Sequence, residues 1–197
     1  MLDAASAIFA EGGFADASMS AIAGRAGVSK AVLYDCFPGG KQEIYYALLD
    51  RIEHAFMDRM MTVLERTNRL PLEQALREGM TAFVEFACEE PEGFRIVFGD
   101  AGTADPEIAR RSAGAREAIV AKIGERTAHI LEAGGGSVTS RTELFDRALV
   151  AVAKELALWA LDGDDAEPRE LVDPIVSWLM RGYEQILPGT AWRERVD

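Results

Sequence analysis

Ser29, Lys30, Ala31 and Val32 follow one another in a stretch whose chemistry suits the edges of base pairs. A lysine ammonium can donate to guanine, and an alanine or valine methyl can lie against the methyl of thymine. Ser18, Arg25, Tyr34 and Lys41, spread on either side, are types that hold phosphate: a hydroxyl beside the amides of a helix start, a guanidinium, a phenol and an ammonium. Phosphate contacts position a protein on a duplex, and base contacts let it read sequence. Lys30 taken alone fits a solvated surface lysine equally well. Asp35 opposes the pattern, because a carboxylate beside DNA lowers affinity unless it accepts a hydrogen bond, for example from cytosine N4.

Two short helices must position these groups. Ser18 is a natural N-cap, Ile22, Ala23 and Ala26 recur behind it at helical spacing, and Gly27 falls where the helix needs an unhindered end. Val28 can plug the corner, Ser29 can cap a second helix, and Val32, Leu33, Cys36 and Phe37 give it apolar contacts before Pro38 and Gly39 break the pattern. That second helix is barely two turns long, the length of a recognition helix whose first residues enter the major groove. Caps and periodicity alone also describe a plain helical hairpin.

The wider string narrows the choice. From Leu2 to Leu49 the order is Ala4-Ala5, Phe9, Gly13-Phe14, the Ser18 cap, Ile22-Ala23, Arg25-Ala26-Gly27-Val28-Ser29-Lys30, Leu33-Tyr34, Phe37-Pro38 and Lys41. In that register the chain resembles the N-terminal domain of the tetracycline-repressor (TetR) family of bacterial transcription regulators. The resemblance implies a three-helix head with a helix-turn-helix over residues 1–48, and a larger helical ligand-binding and dimerisation domain over 49–197. Asp35 and Cys36 depart from the family, whose members more often carry histidine, tyrosine or another phosphate-touching residue there.

Charge pulls the other way. The chain of 197 residues has a net charge of −12, and residues 1–48 hold Arg25, Lys30 and Lys41 against Asp3, Glu11, Asp16, Asp35 and Glu43. A nucleic-acid binder is expected to be basic. Relatives usually carry basic residues ahead of the first helix, so the expectation is either a longer native N-terminus or DNA binding with few phosphate contacts and weak salt dependence.

Composition bounds the rest. Hydrophobic residues make up 49% of the chain in runs too short to span a bilayer, and the N-terminus lacks the basic start of a signal peptide, so a soluble, cytoplasmic protein is expected. Cys36 and Cys88 form no CxxC and are read as small apolar side chains, while His54 and His129 are read as surface or packing residues. No metal or cofactor is expected.

Beyond the head the chain reads as all-α. Helices are expected over 2–12, 41–66, 72–87, 91–99, 106–133 and 142–161, with the triple glycine 134–136 as a loop. After an acidic loop over 162–168 a last helix runs to about residue 187, its well-ordered part expected to start with Asp173 as cap and Pro174 at the first helical position. The middle helices are rich in Met and Phe, which usually means core. The resemblance adds that a small, largely apolar effector occupies the space among them, and Met60, Met80, Phe83, Phe86, Phe94, Phe98 and Trp159 are the candidate lining.

The last two helices carry broad apolar faces, of which Val152, Leu156, Ile175, Leu179, Tyr183 and Ile186 are the candidate homodimer interface. Dimerisation also answers a physical need, because one two-turn recognition helix makes too few base contacts for useful specificity. The favoured function is a homodimeric repressor that binds a palindromic DNA operator and is released by its effector. A helical small-molecule binder or enzyme with a non-functional head is the alternative, with an adaptor that binds another protein in an apolar groove as a third reading. Against catalysis, the sequence holds no nucleophile-base constellation, glycine-rich phosphate loop or metal spacing.

Overall fold

The computed structural model describes residues 1–67, 69–99, 105–133, 140–163 and 167–186, and of residues 115, 129–133, 140–141 and 182–186 the backbone alone. The described elements are helices: α1 (Leu2–Asp16), α2 (Met19–Ala26), α3 (Lys30–Cys36), α4 (Gly40–Arg66), α5 (Leu72–Glu89), α6 (Pro91–Phe98), α7 (Pro106–Ala133), α8 (Ser140–Asp162) and α9 (Pro168–Ile186). No described residue is in a strand. The triple-glycine loop and residues 164–166 lie outside the described residues.

Two boundaries differ from the sequence reading by more than two residues. The first helix does not stop at Gly12: a further turn follows Gly13, whose φ of 70° and ψ of 177° break the helix and redirect it. The last helix begins at Pro168 rather than at Asp173, and Pro174 lies within it. The reason is tertiary. Val172 and Val176 are buried on one face, and the Asp173 carboxylate pairs with Arg77 of α5 instead of capping. Packing therefore holds the turn that proline would disfavour.

The chain forms two compact units. One comprises residues 1–56 and 90–118, which are α1 to α3, α4 as far as Phe56, α6 and the first part of α7. Phe9 and Phe14 meet the Tyr45 ring edge-on at centroid distances of 5.1 and 5.3 Å, joining α1 to α4. Ile22 of α2, Leu33 of α3 and Ile44, Leu48 and Leu49 of α4 are fully buried and belong to the core of this unit. Gly93 of α6 lies so close to α4 that a Cβ there would come within 2.3 Å of the Ile52 side chain.

The other unit comprises residues 57–89 and 119 onward. Its centre is α5, packed against both α8 and α9. Met80, Phe83, Val84, Phe86 and Ala87 are its buried face, because they recur every three or four residues along the helix. Glu78 bridges Arg66 of α4 and Arg169 of α9, each at 3.0 Å.

Candidate nucleic-acid interface and apolar cavity

The helix-turn-helix is built by local capping. Ser18 Oγ accepts a hydrogen bond from the Ala21 amide at 3.1 Å and starts α2, and Ser29 Oγ accepts from the Val32 amide at 3.2 Å and starts α3. Between them Gly27 takes the left-handed conformation, φ 67°, so that its amide and that of Val28 bond back to carbonyls of the last turn of α2. Left-handed backbone is where glycine is favoured, since other residues there crowd their own Cβ.

Once capped, α3 has little choice of face. Leu33 is fully buried, which turns Lys30, Ala31, Val32, Tyr34 and Asp35 outward. Val32 and Tyr34 are 43% and 42% exposed, large for side chains of their kind, and the Lys30 ammonium lies 6.0 Å from the centre of the Tyr34 ring. Four of the expected contact residues, Lys30, Ala31, Val32 and Tyr34, thus share one solvent-facing surface, with Ser18 and Ser29 exposed at the helix starts. Asp35 is exposed on the same short helix.

The other two basic residues of the head are engaged within the protein. Arg25 is exposed but holds Glu11 at 2.6 Å. Lys41 turns inward: its Nζ donates to the carbonyls of Phe14, Ala15 and Ala17 at 2.7, 3.0 and 3.0 Å and lies 4.5 Å from the centre of the Phe14 ring. An ammonium has three donors, so all of them are used there.

In the second unit α4, α5, α7 and α8 enclose a cavity of about 120 Å³. Met60, Met80 and Phe83 line it, with Leu72, Leu76, Leu149 and Ala153 among the other apolar walls. Its polar groups are few: the Arg126 side chain and the hydroxyl-bearing Thr67 and Thr127. Behind the wall Asp146 is buried and accepts from Thr127 Oγ1 at 2.7 Å; burial pushes its carboxyl above the usual range, against the lowering effect of that hydrogen bond.

Of the other residues expected to line a cavity, Phe86 is buried in α5 but is not part of this wall. Phe94 and Phe98 belong to the first unit, where they stack on each other at 4.6 Å beside Phe56. Trp159 is 58% exposed on α8. The sequence reading missed Arg126 and Thr127. The available signal was their place in the series Ile119, Ile123, Arg126, Thr127, where polar side chains take positions that the period assigns to the apolar face.

Val152, Leu156, Ile175 and Leu179 are half-buried on α8 and α9, and the side chains of Tyr183 and Ile186 lie outside the described residues. More open than these are Leu144 and Trp159 on α8 and Trp178 on α9, at 68%, 58% and 63% exposure. Cys36 and Cys88 are also exposed, not packed as small apolar residues. Among the described helices none is long and apolar enough to cross a membrane.

Comparison with known proteins agrees with this geometry. Residues 1–48 match the family model for bacterial regulatory proteins of the tetR family. Over 166 residues the chain is 31% identical to the HTH-type transcriptional activator FasR of Mycolicibacterium smegmatis, covering 83% of this chain and 72% of that protein. A TetR-like transcriptional regulator from Rhodococcus sp. RHA1 superposes with a TM-score of 0.73 at 27% identity, over 92% of both chains. The fold is shared more distantly with the regulator FadR from Bacillus subtilis in complex with stearoyl-CoA, at a TM-score of 0.76 and 16% identity over 92% of this chain and 96% of that one. A capped helix-turn-helix at the N-terminus, the helical architecture of the described residues and a relative matched along most of its length together make this chain a member of the TetR family, a DNA-binding transcriptional regulator and not an enzyme.

Proposed function

We propose that the protein is a ligand-responsive repressor that binds a palindromic operator as a homodimer in the cytoplasm. The observation that carries this is the pairing, in one chain, of an outward-facing Lys30, Ala31, Val32 and Tyr34 with a mostly apolar cavity elsewhere. Lys30 donates to a guanine edge, Ala31 and Val32 lie against thymine methyls, and Tyr34 with Ser18, Ser29 and Arg25 holds phosphates. Arg25 exchanges Glu11 for a phosphate when DNA arrives, and the acidic head keeps the number of phosphate contacts low.

The homodimer forms on the outer faces of α8 and α9. Leu144, Trp159 and Trp178 leave large apolar surface in water, and a second copy covers it together with the half-buried Val152, Leu156, Ile175 and Leu179. The effector is an apolar chain with one polar end: Met60, Met80 and Phe83 suit the chain, and Arg126 or Thr127 suits a carbonyl or carboxylate. The stearoyl-CoA in the Bacillus subtilis neighbour supports that class. Occupation of the cavity shifts α4, which contributes Met60 and Leu64 to its wall, and about 3 kcal/mol of coupling lowers DNA affinity on the order of 100-fold.

The test is fluorescence anisotropy with the DNA flanking the protein's own coding sequence, at low and moderate salt, with and without stearoyl-CoA. Salt-sensitive binding that stearoyl-CoA weakens fits the proposal. No binding to that DNA, or to any duplex selected from a random pool, ends it in favour of a helical small-molecule binder. Activation is the second reading, because the 31% identical relative is an activator. A promoter-reporter assay separates the two, since deleting the regulator raises expression under repression and lowers it under activation.

A further inference from the structure

Lys41 is an expected phosphate contact by residue type, yet its ammonium is spent inside the head. It is the second residue of α4, and it reaches back to the carbonyls of Phe14, Ala15 and Ala17, the chain that leads out of α1 and into the Ser18 cap of α2. Those carbonyls follow the break at Gly13, in the short last turn of α1 and the extended residue after it, where carbonyls lack partners within the helix. A single cation answers all three. The Phe14 ring under the same ammonium adds a cation-π contact and is itself fixed edge-on against Tyr45.

We propose that Lys41 is a positioning residue: it clamps the start of α4 onto the α1–α2 connection and so sets where α2 and α3 lie when the head meets DNA, without touching phosphate itself. This rests on the DNA-binding reading above. The clamp joins the helix that lines the cavity to the loop that launches the helix-turn-helix, so a shift of α4 reaches α2 through three hydrogen bonds as well as through packing. Three convergent acceptors suit a compact ammonium. A guanidinium is planar and cannot aim three donors at acceptors grouped round one point, so Lys41→Arg keeps the charge but loses the clamp.

The test uses the full chain and a duplex selected from a random pool by the wild-type protein, with a scrambled duplex of the same length beside it. Lys41→Met is expected to weaken binding to the selected duplex about tenfold or more while binding to the scrambled one changes little, because misplacing α3 damages base reading first. The dependence of log affinity on log salt stays at the wild-type slope. Lys41→Arg is expected to behave like Lys41→Met. Amide exchange in the free protein quickens over residues 14–23 and not along the rest of α4.

A phosphate contact gives the opposite set of results. Both duplexes then weaken alike, the salt slope falls by about 0.9 for each subunit, and Lys41→Arg restores binding. A merely structural lysine lowers thermal stability and active fraction but leaves the ratio between the two duplexes unchanged. Either set overturns the proposal, as does unchanged exchange over residues 14–23. If the pool yields no bound duplex, the DNA-binding reading itself has failed, and the exchange measurement still shows whether the clamp exists.

Discussion

The helix-turn-helix and the cavity are built by opposite means. Around α2 and α3, nearly every decision is made by a residue within four positions: Ser18 and Ser29 cap, Gly27 turns, and Leu33 alone chooses which way the short helix faces. The cavity has no such local grammar. Its wall is drawn from α4, α5, α7 and α8, and no segment of it implies the others. A DNA-reading surface must be rigid before its partner arrives, because base contacts reward only correct placement. An effector site must be able to change, and adaptable Met and Phe walls serve that end.

Substitutions can sharpen or break this contrast, beginning with the largest effect. Leu33→Ala removes the buried anchor of α3 and is expected to destabilise the first unit by about 2–5 kcal/mol and abolish DNA binding. Urea unfolding with separate probes in the two units checks it; equal loss in both would show that they do not behave as distinct cooperative units. Gly27→Val comes next. No atom lies within 4 Å of a Cβ built there, so backbone strain alone should cost about 1–2 kcal/mol, visible as a lower melting temperature. A neutral result would mean that the turn is not held locally.

In the cavity the sign reverses. Gly79 lies within α5 and lines the space, with nothing within 4 Å of its absent Cβ. Gly79→Ala should therefore stabilise the protein by about 1 kcal/mol through helix propensity, and Gly79→Leu should fill the space and remove the response to effector. DNA binding of Gly79→Leu that stearoyl-CoA still weakens, measured by anisotropy, would show that the effector acts elsewhere than in this cavity.

The smallest effect belongs to Asp146. Its carboxyl is pushed above the ordinary value of 3.8 by burial, so the folded protein holds that proton more tightly than the unfolded chain. The group's contribution to stability accordingly falls as pH rises from about 3.8 through the higher folded value, then levels off. Asp146→Asn keeps an acceptor for Thr127 and removes the charge. The difference in urea stability between wild type and variant should grow in the variant's favour across that interval, and a constant difference would show that Asp146 does not titrate differently on folding.

What could be read from the residues divides along the same line. The all-helical class, the caps of α2 and α3 and the outward set Lys30, Ala31, Val32 and Tyr34 were legible because each depends on neighbours close in sequence. The lining of the cavity was legible in part: Met60, Met80 and Phe83 are there, while Phe94 and Phe98 pack in the other unit and Trp159 faces outward. Periodicity tells which face of a helix is apolar but not which helix that face will meet.

By itself, then, the sequence determined where helices begin and end around Ser18, Gly27 and Ser29, because caps and a left-handed glycine act within a single turn of chain. Only the tertiary structure decided that Lys41 spends its charge on Phe14, Ala15 and Ala17, that α9 runs unbroken through Pro174, and that Arg126 and Thr127 sit in an otherwise apolar wall. Each of these outcomes depends on partners more than ten residues away. Which partner a side chain meets is set when the helices pack, after the local choices have been made.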